Sequence, residues 1–175
     1  IGGITSNSAN HHHENWRFDT QNNSWARMAD LPNIQSQHLA GFSKNGMGYI
    51  VSLENSNDVQ FLRTWQYDPT QNKWNAVSTS PFTIPFDFLI SSALIGDQLT
   101  IFTGNSLQIA YDLTSNEWIQ KQTPEQFLLV APVEDRIFAF GRSGIYEITN
   151  NTSVRLTYFD INERLAYTNY KFYVR

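Results

Sequence analysis

The chain contains no cysteine, which excludes disulfide bonds, thiolate nucleophiles and zinc sites built on cysteine. Charged residues are scarce, at 16% of the 175 residues, against about 25% in a typical globular protein. The net charge of −4 offers no basic surface for nucleic acid or an anionic membrane. No apolar run approaches the ~20 residues that a membrane-spanning helix needs. The sequence therefore predicts no nucleic-acid partner and no membrane insertion.

The compartment is left open by these absences. A chain without cysteine folds equally well under reducing and oxidising conditions. Low charge with abundant asparagine, serine and threonine is typical of secreted or cell-surface proteins, but composition does not fix the location. Because the sequence begins at Ile1, without an initiator methionine or a signal peptide, we expect a processed or truncated N-terminus.

Aromatic residues are plentiful: 5 tryptophans, 8 tyrosines and 12 phenylalanines make up 14% of the chain. Such side chains favour the half-buried, pleated surface of a β-sheet. No segment of useful length has a helical period. We therefore predict an all-β protein.

A repeat is the strongest signal in the sequence. Three ten-residue segments can be laid over one another: 16–25, 65–74 and 109–118. The aspartates Asp19, Asp68 and Asp112 are spaced 49 and 44 residues apart, and the tryptophans Trp25, Trp74 and Trp118 repeat the same two intervals. A fixed period in this range indicates a repeat architecture.

Each repeat unit contains a hairpin whose turn is polar, as in Asp68-Pro-Thr-Gln-Asn-Lys, where aspartate, proline and asparagine suit a tight turn. An apolar strand lies upstream of each hairpin, at 48–51, 99–102 and 136–140, and a weaker strand precedes it. Four short strands in about 45 residues is the size of one blade of a β-propeller.

The order of apolar strand, glycine, variable loop, Tyr-Asp-Pro-x-x-Asn-x-Trp and proline resembles the kelch repeat. Tyr67, Asp68, Asn72 and Trp74 carry the resemblance most closely. The glycine pair of the family survives only at Gly2-Gly3, and the fourth hairpin, 145–154, lacks both the aspartate and the tryptophan. The resemblance implies a β-propeller of kelch-like four-stranded blades, the later ones degenerate.

The same resemblance implies a single propeller, or a propeller segment, over residues 1–175. The approximate blade units are 1–32 (completed by 165–175), 33–81, 82–124 and 125–160. Because kelch propellers close with about six or seven blades, we expect these four to be part of a larger ring or of a ring shared with a second subunit. A small closed ring of four blades is the alternative.

Candidate binding residues lie on the loops that a propeller holds at one face. The long loops are predicted at 5–15 and 54–63, and the connections between blades at 33–38, 78–87 and 125–127. On the first loop, His11, His12 and His13 are candidate ligand contacts. We predict no metal site there, because adjacent residues of an extended loop alternate in direction.

Three further residues are candidate ligand contacts. Arg63 ends the second long loop, and Arg142 follows Gly141 at the end of a strand; either guanidinium can hold a carboxylate through two hydrogen bonds. Phe86 lies on an aromatic connection that either packs between blades or forms a platform for a sugar or peptide. The repeated Trp25, Trp74 and Trp118 are predicted to be core between blades.

The sequence shows no catalytic motif, and we predict no catalytic residue, metal or cofactor. The leading hypothesis is an interaction module for a protein or glycan. The alternative is a carbohydrate-active enzyme similar to the kelch-type sialic acid mutarotases, for which Arg142, Glu134, Asp135 and His38 are the available groups. A galactose oxidase chemistry is excluded because it needs cysteine. A purely structural spacer is the third hypothesis.

Overall fold

A computed structural model describes residues 3–4, 11–12, 14–32, 39–57, 59–84, 89–133, 136–149 and 152–158. These residues form β-strands and turns, and none of them belongs to a helix that could cross a membrane. The predicted all-β class is therefore confirmed.

Three complete sheets follow one another along the chain, and each is a four-stranded antiparallel meander. Blade 2 consists of β5 (Leu39–Lys44), β6 (Met47–Ser56), β7 (Val59–Asp68) and β8 (Lys73–Thr79). Blade 3 consists of β9 (Leu89–Ile95), β10 (Gln98–Thr103), β11 (Leu107–Asp112) and β12 (Glu117–Gln122). Blade 4 consists of β13 (Phe127–Val133), β14 (Arg136–Gly141), β15 (Gly144–Ile148) and β16 (Ser153–Tyr158).

The first repeat contributes two short pairs of strands. One pair joins β1 (Gly3–Ile4) to β2 (His11–His12), and the other joins β3 (Trp16–Asp19) to β4 (Ser24–Arg27). The chain divides into two compact units, Ile1–Phe88 with Tyr111–Ile119, and Leu89–Ala110 with Gln120–Arg175.

The polar turns of the repeats share one construction. Each turn holds an asparagine in the left-handed region, with φ of 49° at Asn23, 50° at Asn72 and 59° at Asn116. The aspartate before each turn accepts backbone N–H groups two and three residues later. Asparagine suits such a turn because it tolerates the left-handed conformation. Aspartate suits it because its carboxylate accepts the free backbone N–H groups. The hairpins predicted from the repeat are thus present.

In the first unit, the repeated tryptophans of two hairpins reach back to the preceding repeat. The indole N–H of Trp74 donates to the carbonyl of Ala29 (3.1 Å), and Asn72 Oδ1 accepts the N–H of the same alanine (2.7 Å). The indole of Trp118 donates to Ser78 Oγ (2.9 Å). These two tryptophans therefore join one repeat to the next, but both are half-buried and not fully buried core residues.

The prediction that Trp25 is core between blades is wrong, because its side chain is 65% exposed. Its counterparts Trp74 and Trp118 each bond to a residue of the preceding repeat, whereas the described residues before β3 form only the two-stranded pair β1–β2. Trp25 contacts Phe18 across the hairpin at 4.9 Å between ring centroids, and Phe18 is itself 41% exposed.

The second unit has its own apolar core, between β9 and β10 of blade 3 and the strands of blade 4. Phe127 lies between Phe102 and Tyr146, with ring centroids 5.8 and 5.2 Å away. The facing strands β9 and β13 are tied by Ser91, whose hydroxyl donates to the Val130 carbonyl (3.0 Å) and accepts the Val130 N–H (3.1 Å). Adjacent first strands of successive sheets are the arrangement expected of propeller blades.

Candidate functional site

The hairpin of β6 and β7 extends beyond the rest of blade 2. Both strands have ten residues, whereas their counterparts in blade 3 have six each. Pairing with β5 stops at Ser52, and pairing with β8 stops at Arg63. Residues 53–56 and 59–62 therefore form a two-stranded ribbon, which we call the blade 2 ribbon.

This finding corrects the loop predicted at 54–63. The residues pair in unbroken register, from Ser52 opposite Arg63 to Ser56 opposite Val59. Asn57, with φ of 51°, allows a tight reversal. Arg63 thus lies inside β7 and does not end a loop.

The connection after β8 braces the blade 2 ribbon. The N–H of Ser80 donates to the Leu62 carbonyl (2.8 Å), and the N–H of Ile84 donates to the Gln60 carbonyl (2.9 Å). Ile84 is 4% exposed and Leu62 is fully buried. Because backbone bonds and apolar burial both hold it, the ribbon is a rigid element, and its exposed tip at Asn55, Ser56 and Val59 is presented in a fixed place.

Arg63 lies at the base of the ribbon, surrounded by two aromatic rings and a carboxylate. Its Cζ is 5.5 Å from the ring centroid of Phe61 and 5.6 Å from that of Trp65. Its Nε is 3.4 Å from Glu54 Oε2, close enough for an ion pair but without the geometry of a hydrogen bond. Alternation along β7 places the three side chains on one face, with Leu62 and Thr64 on the other.

Glu54 is itself fixed by neutral donors. Its Oε1 accepts the hydroxyl of Ser52 (2.9 Å) and the indole N–H of Trp65 (3.2 Å). The Glu54 side chain is 16% exposed and that of Arg63 is 32% exposed. The carboxylate is therefore held mainly by Ser52 and Trp65, and it orients the guanidinium from one edge only.

A second polar cluster lies in the other unit, at the connection from blade 3 to blade 4. Glu125 accepts the backbone N–H of Ser143 (2.9 Å), the hydroxyl of Ser143 (2.6 Å) and the hydroxyl of Tyr146 (2.7 Å). Arg155 donates to both hydroxyls from the opposite side. The two hydroxyls thus link a carboxylate to a guanidinium, and together they fix the β14–β15 turn.

Burial raises the pKa of Glu125, but the hydroxyl and backbone donors around it outweigh this effect and hold the pKa below its ordinary value of 4.5. We expect Glu125→Gln to lower the free energy of unfolding at pH 7 by about 1–3 kcal/mol, because an amide cannot accept all these donors. The depressed pKa means that this stabilisation is present above pH 4.5 and is lost as the pH falls through the folded-state pKa.

Chemical denaturation of the unaltered chain and of Glu125→Gln from pH 7 to pH 3 measures this effect. The difference between their free energies of unfolding should narrow below pH 4.5. Glu117→Gln, at an exposed position in β12, is the matched control and should change little. A gap for Glu125→Gln that stays constant with pH would show that the charge of Glu125 does not stabilise the turn.

Besides Arg63, five residues were predicted as ligand contacts, and they fall into three groups. His11 and His12 lie in the short strand β2, paired with Ile4 and Gly3, and so are not in an irregular loop. His13 and Phe86 lie outside the described residues, as do Glu134, Asp135 and His38. Arg142 is exposed immediately after β14, beside the turn that Glu125 holds.

Sequence reasoning missed Glu54, Phe61 and Trp65 as partners of Arg63, and it missed the Glu125 cluster. No group of three or more histidine, aspartate or glutamate side chains that could hold a metal occurs in the part of the chain described by the structure.

A cavity of about 340 Å³ lies elsewhere on blade 2, toward the turn that joins β5 to β6. Its walls include Phe42, Tyr49, Tyr67 and Trp74, and none of the described residues that line it is charged. It is thus an apolar recess beside the repeat hairpin, far along the strands from the ribbon tip.

Comparison with known proteins supports the fold. No family model matches the sequence. A putative F-box/kelch-repeat protein of Arabidopsis thaliana is 25% identical over 163 residues, which are 92% of this chain and 44% of that protein. The solved structure of YjhT superposes with a TM-score of 0.63 at 12% identity, over 85% of this chain and 60% of that one.

The chain therefore spans less than half of the plant protein and less than two thirds of YjhT. The likeness to YjhT shows the fold, and the plant protein carries the kelch repeat in its name. Together they confirm the predicted kelch-like propeller architecture.

Proposed function

Because the chain is built from kelch-type propeller blades, we propose that it is a binding module that contacts a protein partner through the blade 2 ribbon. The observation that carries this proposal is the ribbon itself, which projects past its sheet and is braced by Ser80 and Ile84. A projecting ribbon with an exposed tip gives a partner a preformed surface, so little ordering entropy is lost on binding.

The surroundings of Arg63 favour a protein over a glycan. A sugar ring stacks on an uncovered aromatic face, but the guanidinium lies over Phe61 and Trp65. Arginine beside aromatic rings is instead the composition of protein-binding hot spots. Val59, 44% exposed at the tip, adds apolar area that a protein partner would cover.

Selection of displayed twelve-residue peptides on the immobilised chain tests the proposal. We expect the double variant Ser56→Asp, Val59→Asp to bind the selected peptides about tenfold more weakly or worse, because it places charge on the contact surface. Gln71→Asp, on the exposed turn between β7 and β8, is the matched control and should leave their affinity unchanged.

Failure to select any peptide, or equal binding to the ribbon variant, would contradict the proposal. A glycan array probed with the unaltered chain, the ribbon variant and Gln71→Asp tests whether the ligand is a sugar instead of a peptide. Glycan binding that the ribbon variant loses, without peptide binding, would assign the ribbon to sugar recognition instead.

A further inference from the structure

From the same hairpin we infer that Arg63 is a carboxylate-binding site, which receives an aspartate or glutamate side chain or a C-terminal carboxylate of the bound peptide. This inference rests on the proposed function and adds the chemistry of the ligand. Its evidence is the way in which the guanidinium is held.

The guanidinium is oriented before any ligand arrives. Glu54 lies at its Nε edge, and Phe61 and Trp65 lie at 5.5 and 5.6 Å from its Cζ. An arginine fixed in this way loses less side-chain entropy per hydrogen bond when it binds a ligand.

The exposed part of the Arg63 side chain is what remains for a ligand. Its Nε is buried and donates no hydrogen bond to a described residue, and the ion pair with Glu54 lacks hydrogen-bond geometry. The side chain is 32% exposed although its Nε is buried, so the exposed area belongs to the other atoms of the side chain. The two Nη groups form the fork that matches the two oxygens of a carboxylate.

The charge balance selects a carboxylate over a phosphate. Glu54 neutralises part of the guanidinium charge, and the chain as a whole carries −4. A dianionic phosphate would be repelled by Glu54 and needs several cations or N–H donors to offset its charge. A planar ion with a single charge is satisfied by one fork, so the site fits a carboxylate.

The test uses nine-residue peptide mixtures that are randomised around a fixed central residue and blocked at both ends. Mixtures with central glutamate or aspartate are compared with one having central glutamine, and a fourth mixture has central glutamine and a free C-terminal carboxylate. Binding to the immobilised 175-residue chain is measured at concentrations up to about 1 mM, which is the range of weak single-site contacts.

We expect at least one carboxylate mixture to bind about tenfold better than the blocked glutamine mixture, as one charge-assisted bidentate contact supplies. Arg63→Gln should remove this preference, and Arg63→Lys should retain only part of it, because lysine keeps the charge without the fork. Arg17→Gln, at an exposed position in β3, changes the net charge equally and should retain the full preference.

Equal binding of all four mixtures, including no binding of any, would overturn the inference, and so would a preference that survives in Arg63→Gln. Circular dichroism of each variant checks that the fold is intact. Peptides that need the ribbon tip but bind equally well with their carboxylates replaced by amides would refute the carboxylate site alone. That result would leave the proposed protein-binding function standing.

Discussion

Replacing Phe127 by alanine is expected to lower the free energy of unfolding by about 3–5 kcal/mol. Phe127 is 1% exposed at the start of β13 and lies between Phe102 and Tyr146. Its ring therefore joins blade 3 to blade 4, and its removal leaves a cavity that the β-strands around it cannot close without moving. The loss combines buried apolar area with two aromatic contacts.

Urea denaturation followed by near-ultraviolet circular dichroism measures this loss. The neighbouring Leu128 is 54% exposed on the same strand, so Leu128→Ala is the matched control and should cost less than about 1 kcal/mol. Should the two variants be equally stable, Phe127 would not be part of a packed core between the sheets.

Gly144→Ala is expected to lower stability more than alanine does at Gly41, Gly48 or Gly141, the other glycines without a positive φ whose surroundings are known. A Cβ at Gly144 would overlap the backbone carbonyl oxygen of Thr157 on the adjacent strand β16. Backbone atoms cannot move aside by a change of rotamer, so β15 and β16 would have to separate. We expect a cost of about 3 kcal/mol, at the upper end of overpacked sites.

Gly41→Ala is the matched control, because no atom lies within 4 Å of a Cβ at Gly41 in β5. Alanine there should leave stability unchanged or raise it by a few tenths of a kcal/mol, about the benefit of a less flexible unfolded chain. Thermal unfolding of the two variants decides the matter. Equal melting temperatures would mean that β16 yields freely at Thr157.

The repeat hairpins could be predicted from the sequence because their signal is local. Aspartate, left-handed asparagine and the cross-strand aromatic pair stand at fixed places within ten residues, as in Asp68, Asn72 and Trp74. The tight turn fixes the register, and the register fixes which aromatic rings meet. Local chemistry of this kind does not depend on the rest of the chain.

The candidate site was only partly predictable because its partners are set by pairing across strands. Arg63 was singled out as a cation, but its contact with Glu54 depends on a reversal at Asn57 that brings residues 54 and 61 opposite each other. The available signal was the content of residues that favour strands, Val59, Phe61, Thr64 and Trp65, but the polar residues of the tip interrupt it. Recognising Asn57 as a turn residue would have extended the strands.

The Glu125 cluster was harder to foresee. Glu125 and Ser143 are 18 residues apart, and their contact requires the connection between blades to pass over the β14–β15 turn. Neither residue belongs to a repeated motif, so periodicity gives no information about them. The exposure of Trp25 has the same origin, because the contacts of a repeated residue depend on what precedes it.

The junction at Ala29 has a consequence for how these repeats can diverge. Both groups that Trp74 and Asn72 contact there belong to the main chain, a carbonyl and an N–H. Any residue except proline supplies the same pair, so substitutions at this position leave the coupling between repeats intact. The junction at Ser78 is different, because the indole of Trp118 donates to a side-chain hydroxyl there, so only serine or another hydroxyl or acceptor side chain preserves that contact.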